Sequence, residues 1–194
     1  TRRLALEGYL AFAPDALTPL GGYPGDEDKA RTLFGTLDQT KAREDFVAAV
    51  GYLGKHQNGT GKVGVVGFCY GGAMASTLAT RVPTLAGAVS FYGTAPKDPA
   101  EIARIKAPLV LHYAENDERV NATMADYEAA LKTNKVKYEL HKYPGTQHGF
   151  HNDTTPRYNK EAATLAWNRT LEFFARTLKP GGKSSGGPTK SAPG

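Results

Sequence analysis

The strongest constraint on how this chain folds lies in residues 62–72, Lys-Val-Gly-Val-Val-Gly-Phe-Cys-Tyr-Gly-Gly. A strand is expected at Lys62–Phe68, within which Val63–Gly67 is continuously apolar, as a strand buried on both faces must be. It runs without a spacer into a glycine-bracketed turn, and then into the small, alanine-rich stretch Gly72–Arg81 with its helical character. Strand, tight turn and helix together form the first half of a βαβ unit, which restricts the fold to sheets with parallel strands.

The rest of the chain repeats that alternation. Further strands are expected at Tyr9–Ala13, Leu85–Tyr92, Leu109–Ala114 and Val136–Tyr143, all rich in apolar and β-branched residues. Between them, apolar residues recur at helical spacing: Phe46, Val50 and Leu53 within Arg43–Gln57, and Met124, Tyr127, Ala130 and Leu131 within Asn121–Thr133. Ala163, Ala166, Trp167, Leu171, Phe174 and Leu178 fall on one stripe of a last helix over 160–178. The expected fold is an α/β domain over residues 1–178, a mainly parallel sheet with helices on both faces. In such sheets function gathers beyond the carboxyl ends of the strands.

Composition excludes several alternatives. Forty per cent hydrophobic and 22% charged residues rule out a disordered chain, a collagen-like repeat and a coiled coil. No apolar run approaches the roughly 18 residues of a membrane span. The single cysteine excludes an internal disulfide framework. Of the net charge of +5, three units are Lys179, Lys183 and Lys190 near the C-terminus, so no clustered basic face for nucleic acid is evident. Residues 179–194 carry no large apolar side chain and are read as a flexible Gly/Ser/Pro/Lys tail. Arg2-Arg3 ahead of an apolar stretch superficially resembles an export signal, but Glu7, Gly8 and Tyr9 interrupt its core. The compartment stays open.

The turn at 67–71 matches the nucleophile elbow G-x-[nucleophile]-x-G, with Cys69 in place of the usual serine. A strand-to-helix turn this tight forces the central residue into a strained backbone and projects its side chain above the sheet. It also brings neighbouring backbone so close that flanking glycines are expected at 67 and 71. The first amides of the following helix, beginning with Tyr70, are then aimed at the reacting atoms and can hold an oxyanion. A lone cysteine is ordinarily a small buried hydrophobe; here strand and glycine context outweigh that reading. A dinucleotide-binding G-x-G-x-x-G fails because its second glycine would be Cys69.

A nucleophilic thiol needs a base, and the base an orienting carboxylate. In chain order, Asp117 follows the strand Leu109–Ala114, 48 residues beyond Cys69, and His148 follows the next strand after another 31. Loops at strand ends on one rim converge, so both can reach Cys69. Glu115 and Glu118 compete with Asp117 for the acid's place. His148, His151 and Asp153 suggest a metal site, but a convincing third ligand is missing. A redox thiol lacks a resolving cysteine.

With these stretches in view, the sequence resembles the dienelactone hydrolase family of α/β-hydrolases. The likeness is carried by Gly8-Tyr9, Ala13-Pro14-Asp15, Gly61–Gly64, Gly67–Gly72, Asn116–Val120 and His148-Gly149-Phe150, and extends through Ala162–Phe174. It implies a Cys69–His148–Asp117 triad, hydrolysis of small esters or lactones, a small-molecule substrate and no cofactor, metal, nucleic acid or membrane. Tyr23, Phe150 and Arg119 are candidate pocket residues. The arginine such enzymes use to grip a substrate carboxylate, four residues beyond the histidine, is Asn152 here; Arg119 and Arg157 are the substitutes to consider. The resemblance also implies more chain before Leu4, including a central strand whose following loop donates to the oxyanion. The fold is therefore expected to be N-terminally truncated, with an incomplete sheet that favours self-association. The alternative function is a catalytically impaired scaffold or binding protein.

Overall fold

A computed structural model of the protein describes residues 1–181, which divide into two compact units, Thr1–Val63 and Gly64 onward. Of the expected tail, residues 182–194 lie outside the described residues.

The N-terminal unit is helical: α1 (Arg2–Leu6), a short 3-10 turn (Thr18–Leu20), α2 (Glu27–Gly35) and α3 (Gln39–Gly54). α3 begins four residues earlier than the apolar spacing predicts because Asp38 caps it, its carboxylate accepting the N–H groups of Thr40 and Lys41. Asp26 caps α2 in the same way through Lys29. The strand expected at Tyr9–Ala13 does not form. Strand composition becomes a strand only where a neighbouring backbone accepts its N–H and C=O groups, and this unit has no strand among the described residues. The segment instead lies over α3, with Phe12 and Tyr52 5.8 Å apart between ring centroids.

The other four expected strands form a parallel sheet in chain order: β1 (Gly64–Phe68), β2 (Gly87–Phe91), β3 (Leu109–Asn116) and β4 (Tyr138–Gln147). Between them run α4 (Tyr70–Arg81), α5 (Pro99–Ile102), α6 (Glu118–Asn121) and α7 (Met124–Thr133), and α8 (Lys160–Leu178) closes the unit. Alternation along the strands assigns the faces. Gly64, Val66, Gly87 and Val89 face α8. A Cβ on Gly64 would come within 2.9 Å of the Phe174 ring, and one on Gly87 within 2.7 Å of Phe173, so these glycines let α8 settle close to the sheet. The opposite face receives α4, where Gly72 packs against Ser90, and α7, whose Glu128 accepts from the Tyr138 hydroxyl. The helix expected over 121–133 is broken between Asn121 and Met124 into α6 and α7. No described helix is long and apolar enough to cross a membrane.

A buried polar chain crosses the α8 face. Thr170 on α8 donates its hydroxyl to the Ala166 carbonyl (2.9 Å), so it accepts from Nε2–H of His112 (3.1 Å). Nδ1 of His112 is then the acceptor for the Tyr143 hydroxyl (2.9 Å), which in turn accepts from Arg169 (3.1 Å). Burial, reinforced by His141, Arg169 and His151, pushes the His112 pKa well down, which keeps the ring neutral. Unfolded, the same ring titrates near the ordinary histidine value of about 6.5. Below that pH the unfolded chain binds the extra proton, so stability should fall by about 1.4 kcal/mol per pH unit for this group until the folded-state pKa is reached. Urea unfolding between pH 7.5 and 5.5 measures this. His112→Gln should shallow the acid-side slope by about one proton, and an unchanged slope would refute the assignment.

Candidate active site

Cys69, Asp117 and His148 stand one residue beyond the ends of β1, β3 and β4 respectively. Parallel strands place these ends on the same rim.

At the first of them the backbone turns sharply. Cys69 has φ 55° and ψ −113°, a left-handed region that non-glycine residues rarely occupy. Its N–H donates to the Phe91 carbonyl (3.0 Å) and its own carbonyl accepts from Ala73 (3.1 Å), so the turn is tied to β2 on one side and α4 on the other. The thiol is exposed, and Tyr70, next in the chain, opens α4. The close approach that makes the turn tight falls on Gly67, where a Cβ would lie 1.9 Å from the Gly71 carbonyl oxygen. A Cβ on Gly71 would meet nothing within 4 Å. The steric demand expected of both glycines is thus confined to the first.

Asp117 is buried and caps α6, one oxygen accepting from Val120 N–H (3.4 Å). Its other oxygen lies 2.5 Å from His148 Nδ1. With the carboxylate accepting from Nδ1–H, Nε2 is left as the acceptor facing Cys69 Sγ at 3.1 Å. The three side chains therefore form one continuous line from a buried acid to an exposed thiol.

Supporting contacts hold the two loops together. Glu115, a rival for the acid's place by sequence, instead accepts from Gly145 N–H (2.7 Å). Thr146, buried, accepts from Glu115 N–H (3.4 Å) and donates to the Tyr143 carbonyl (2.7 Å). Asn121 donates to the carbonyls of Ala114 (2.9 Å) and Glu115 (3.1 Å). The carboxyl ends of β3 and β4, which carry Asp117 and His148, are thereby cross-braced. Sequence reasoning had no signal for the two bonds that cross between the loops, Glu115 with Gly145 and Glu115 with Thr146, because their partners lie 30 and 31 residues apart.

Tyr92 was also unanticipated as a site residue. It follows β2 directly, has φ 38°, and its ring centroid lies 5.0 Å from that of His148. Burial first, and then the neighbouring Cys69, raise its phenol pKa far above the ordinary tyrosine value, so the hydroxyl stays protonated. Of the candidate pocket residues, Phe150 is fully buried against Tyr92 and Tyr143. Arg119 is exposed on α6. Tyr23 belongs to the N-terminal unit, where its hydroxyl donates to Glu27 (3.3 Å). Asn152 is engaged in its own turn, accepting from Thr154. The guanidinium of Arg157 lies 3.8–4.0 Å from where a Cβ on Gly149 would stand, beside His148. Among the described residues, no group of three or more His, Cys, Asp or Glu side chains is placed to hold a metal ion.

The family model for dienelactone hydrolases matches residues 1–178. The chain belongs to the dienelactone hydrolase family. A protein named "Putative carboxymethylenebutenolidase" from Saccharolobus solfataricus is 33% identical to it, over 92% of this chain and 83% of the relative. A Bradyrhizobium protein named "Probable 2-oxo-3-(5-oxofuran-2-ylidene)propanoate lactonase" is 32% identical over 88% of this chain and 74% of its own. The crystal structure of a "Putative Dienelactone Hydrolase" from Klebsiella pneumoniae superimposes with a TM-score of 0.79 at 28% identity, covering 90% of this chain and 78% of that one. The parallel sheet with helices on both faces is accordingly the α/β-hydrolase fold of dienelactone hydrolases.

Proposed function

We propose that this dienelactone hydrolase family member cleaves small carboxylic esters and lactones by acyl transfer through Cys69, with His148 as base and Asp117 as its orienting acid. The unbroken Asp117–His148–Cys69 line, at 2.5 and 3.1 Å, carries the reading. The names of the relatives, a carboxymethylenebutenolidase and a lactonase, agree with it.

Nε2 of His148 takes the thiol proton as sulfur attacks the carbonyl carbon. The oxyanion is held by the backbone N–H of Tyr70, the first amide of α4. Asp117 stabilises the imidazolium, which returns its proton to the departing alcohol. A water activated by His148 then hydrolyses the thioester and frees the acid. Thiolate leaves from the tetrahedral intermediate more readily than an amine does, so collapse favours esters over amides. Arg157, beside His148 and Gly149, is better placed than Arg119 to meet an anionic substituent on the substrate.

The test is turnover of p-nitrophenyl acetate and of simple lactones by the chain, with intact-mass analysis of the quenched reaction. One acetyl group located on Cys69 is expected. Turnover with acylation elsewhere, or a folded protein that neither turns over nor acylates, would sink the reading; the second result is the impaired scaffold.

A further inference from the structure

Hydrolysis through a thioester sets the imidazole a problem that the free enzyme does not have. Before attack, His148 is held at both nitrogens, by Asp117 and by Cys69. After acylation the sulfur carries the acyl group and has no proton to give, so the contact at Nε2 is lost. The ring must nevertheless stay in place to activate water, with a single hydrogen bond, to Asp117, remaining.

What else touches the imidazole is Tyr92. Its ring is 5.0 Å from that of His148 at an interplanar angle of 59°. Tyr92 is 3% exposed and wedged from behind by Phe150 at 5.5 Å and Phe91 at 6.1 Å. Its backbone is fixed as firmly. Tyr92 N–H donates to the His112 carbonyl at 2.7 Å. The next residue, Gly93, sits so close to α4 that a Cβ there would lie 2.3 Å from Ala73 N. Strand alternation would send the side chain of residue 92 to the face of Ser90, under α4. The left-handed φ of 38° instead turns the ring toward His148. A bulky residue held in this region is strained, and such strain persists only where the surroundings over-determine it.

We propose that Tyr92 is a positioning residue whose ring holds the His148 imidazole in line after Cys69 has been acylated. This rests on the acyl-transfer reading above. The dependent step is deacylation: water oxygen bonds to the thioester carbon while its proton passes to Nε2, the C–S bond breaks, and sulfur recovers that proton. Acylation depends less on Tyr92, because both imidazole nitrogens are then anchored.

The experiment measures acylation by stopped flow and the steady-state fraction of acylated Cys69 by quenched mass analysis, with p-nitrophenyl acetate. Tyr92→Leu should slow deacylation about tenfold, a modest misplacement of the base, with acylation slowed far less, so that acyl-enzyme accumulates. Tyr92→Phe keeps the ring and should keep the wild-type ratio of the two steps. Should Tyr92→Leu fail to fold, Tyr92→Asn, which tolerates left-handed backbone, takes its place with the same expectation. Equal slowing of both steps, or Tyr92→Phe behaving like Tyr92→Leu, would overturn the proposal. Absence of any acyl-Cys69 in the wild type would instead remove the reading beneath it.

Discussion

Cys69→Ala should reduce ester turnover by about 10³-fold or more while leaving the fold intact. The magnitude follows from what the substitution removes. Without a nucleophile no thioester forms, and hydrolysis must proceed by direct attack of water, assisted only by the amides at the head of α4 and by His148. In triads of this kind the members act as a unit, so losing one costs nearly as much as losing all, and the residue left is oxyanion and binding catalysis of about 10³–10⁴ over water. His148→Ala should therefore match Cys69→Ala within about tenfold, and the double variant should be scarcely worse than either. The side chain at 69 is exposed, so its truncation leaves no cavity and thermal unfolding should change little. Initial rates with p-nitrophenyl acetate decide the matter, and Cys69→Ala retaining the wild-type rate would eliminate the thiol as nucleophile.

The legibility of this site in the sequence has a physical basis. Cys69, Asp117 and His148 each follow a strand, and parallel strands bring their carboxyl ends to one rim whatever the details between them. Chain order and strand position bring Cys69 and His148 forward but leave Glu115 and Glu118 beside Asp117 as the acid, which only the hydrogen bond to His148 separates. Strand ends were less readable: β3 and β4 run to Asn116 and Gln147, beyond the apolar runs that announce them, because the braces from Glu115 to Gly145 and Thr146 extend the pairing. Tyr9–Ala13 has the composition of a strand and is none, since pairing is a tertiary property. His112 was legible as a strand residue, but its partner Thr170 lies 58 residues away. Tyr92 was hidden for a related reason. Its role depends on a backbone kink imposed by Gly93 against α4 and by the His112 carbonyl, neither of which leaves a periodic trace.

The glycines of the elbow give the second large effect, and they separate two explanations that the G-x-C-x-G pattern alone leaves merged. Gly67→Ala places a methyl group 1.9 Å from the Gly71 carbonyl oxygen and 2.1 Å from its carbonyl carbon. Both are backbone atoms at the head of α4, so relief requires the helix to move off the sheet, away from the face where Gly72 packs on Ser90. Overpacking against side chains typically costs about 1–3 kcal/mol; against backbone the upper end or beyond is expected, a fall in melting temperature of about 6–12 °C. Because the displaced atoms adjoin Cys69, turnover should fall with stability even in the molecules that remain folded. Gly71→Ala should do the reverse. The position is helical, an added Cβ meets nothing within 4 Å, and alanine is the better helix former by up to about 1 kcal/mol. Thermal unfolding of the two single variants beside wild type tests the pair. Equal destabilisation by both would mean that the turn needs glycine for backbone freedom at each position; a loss confined to Gly67→Ala would mean that it needs one atom's width of empty space between β1 and α4.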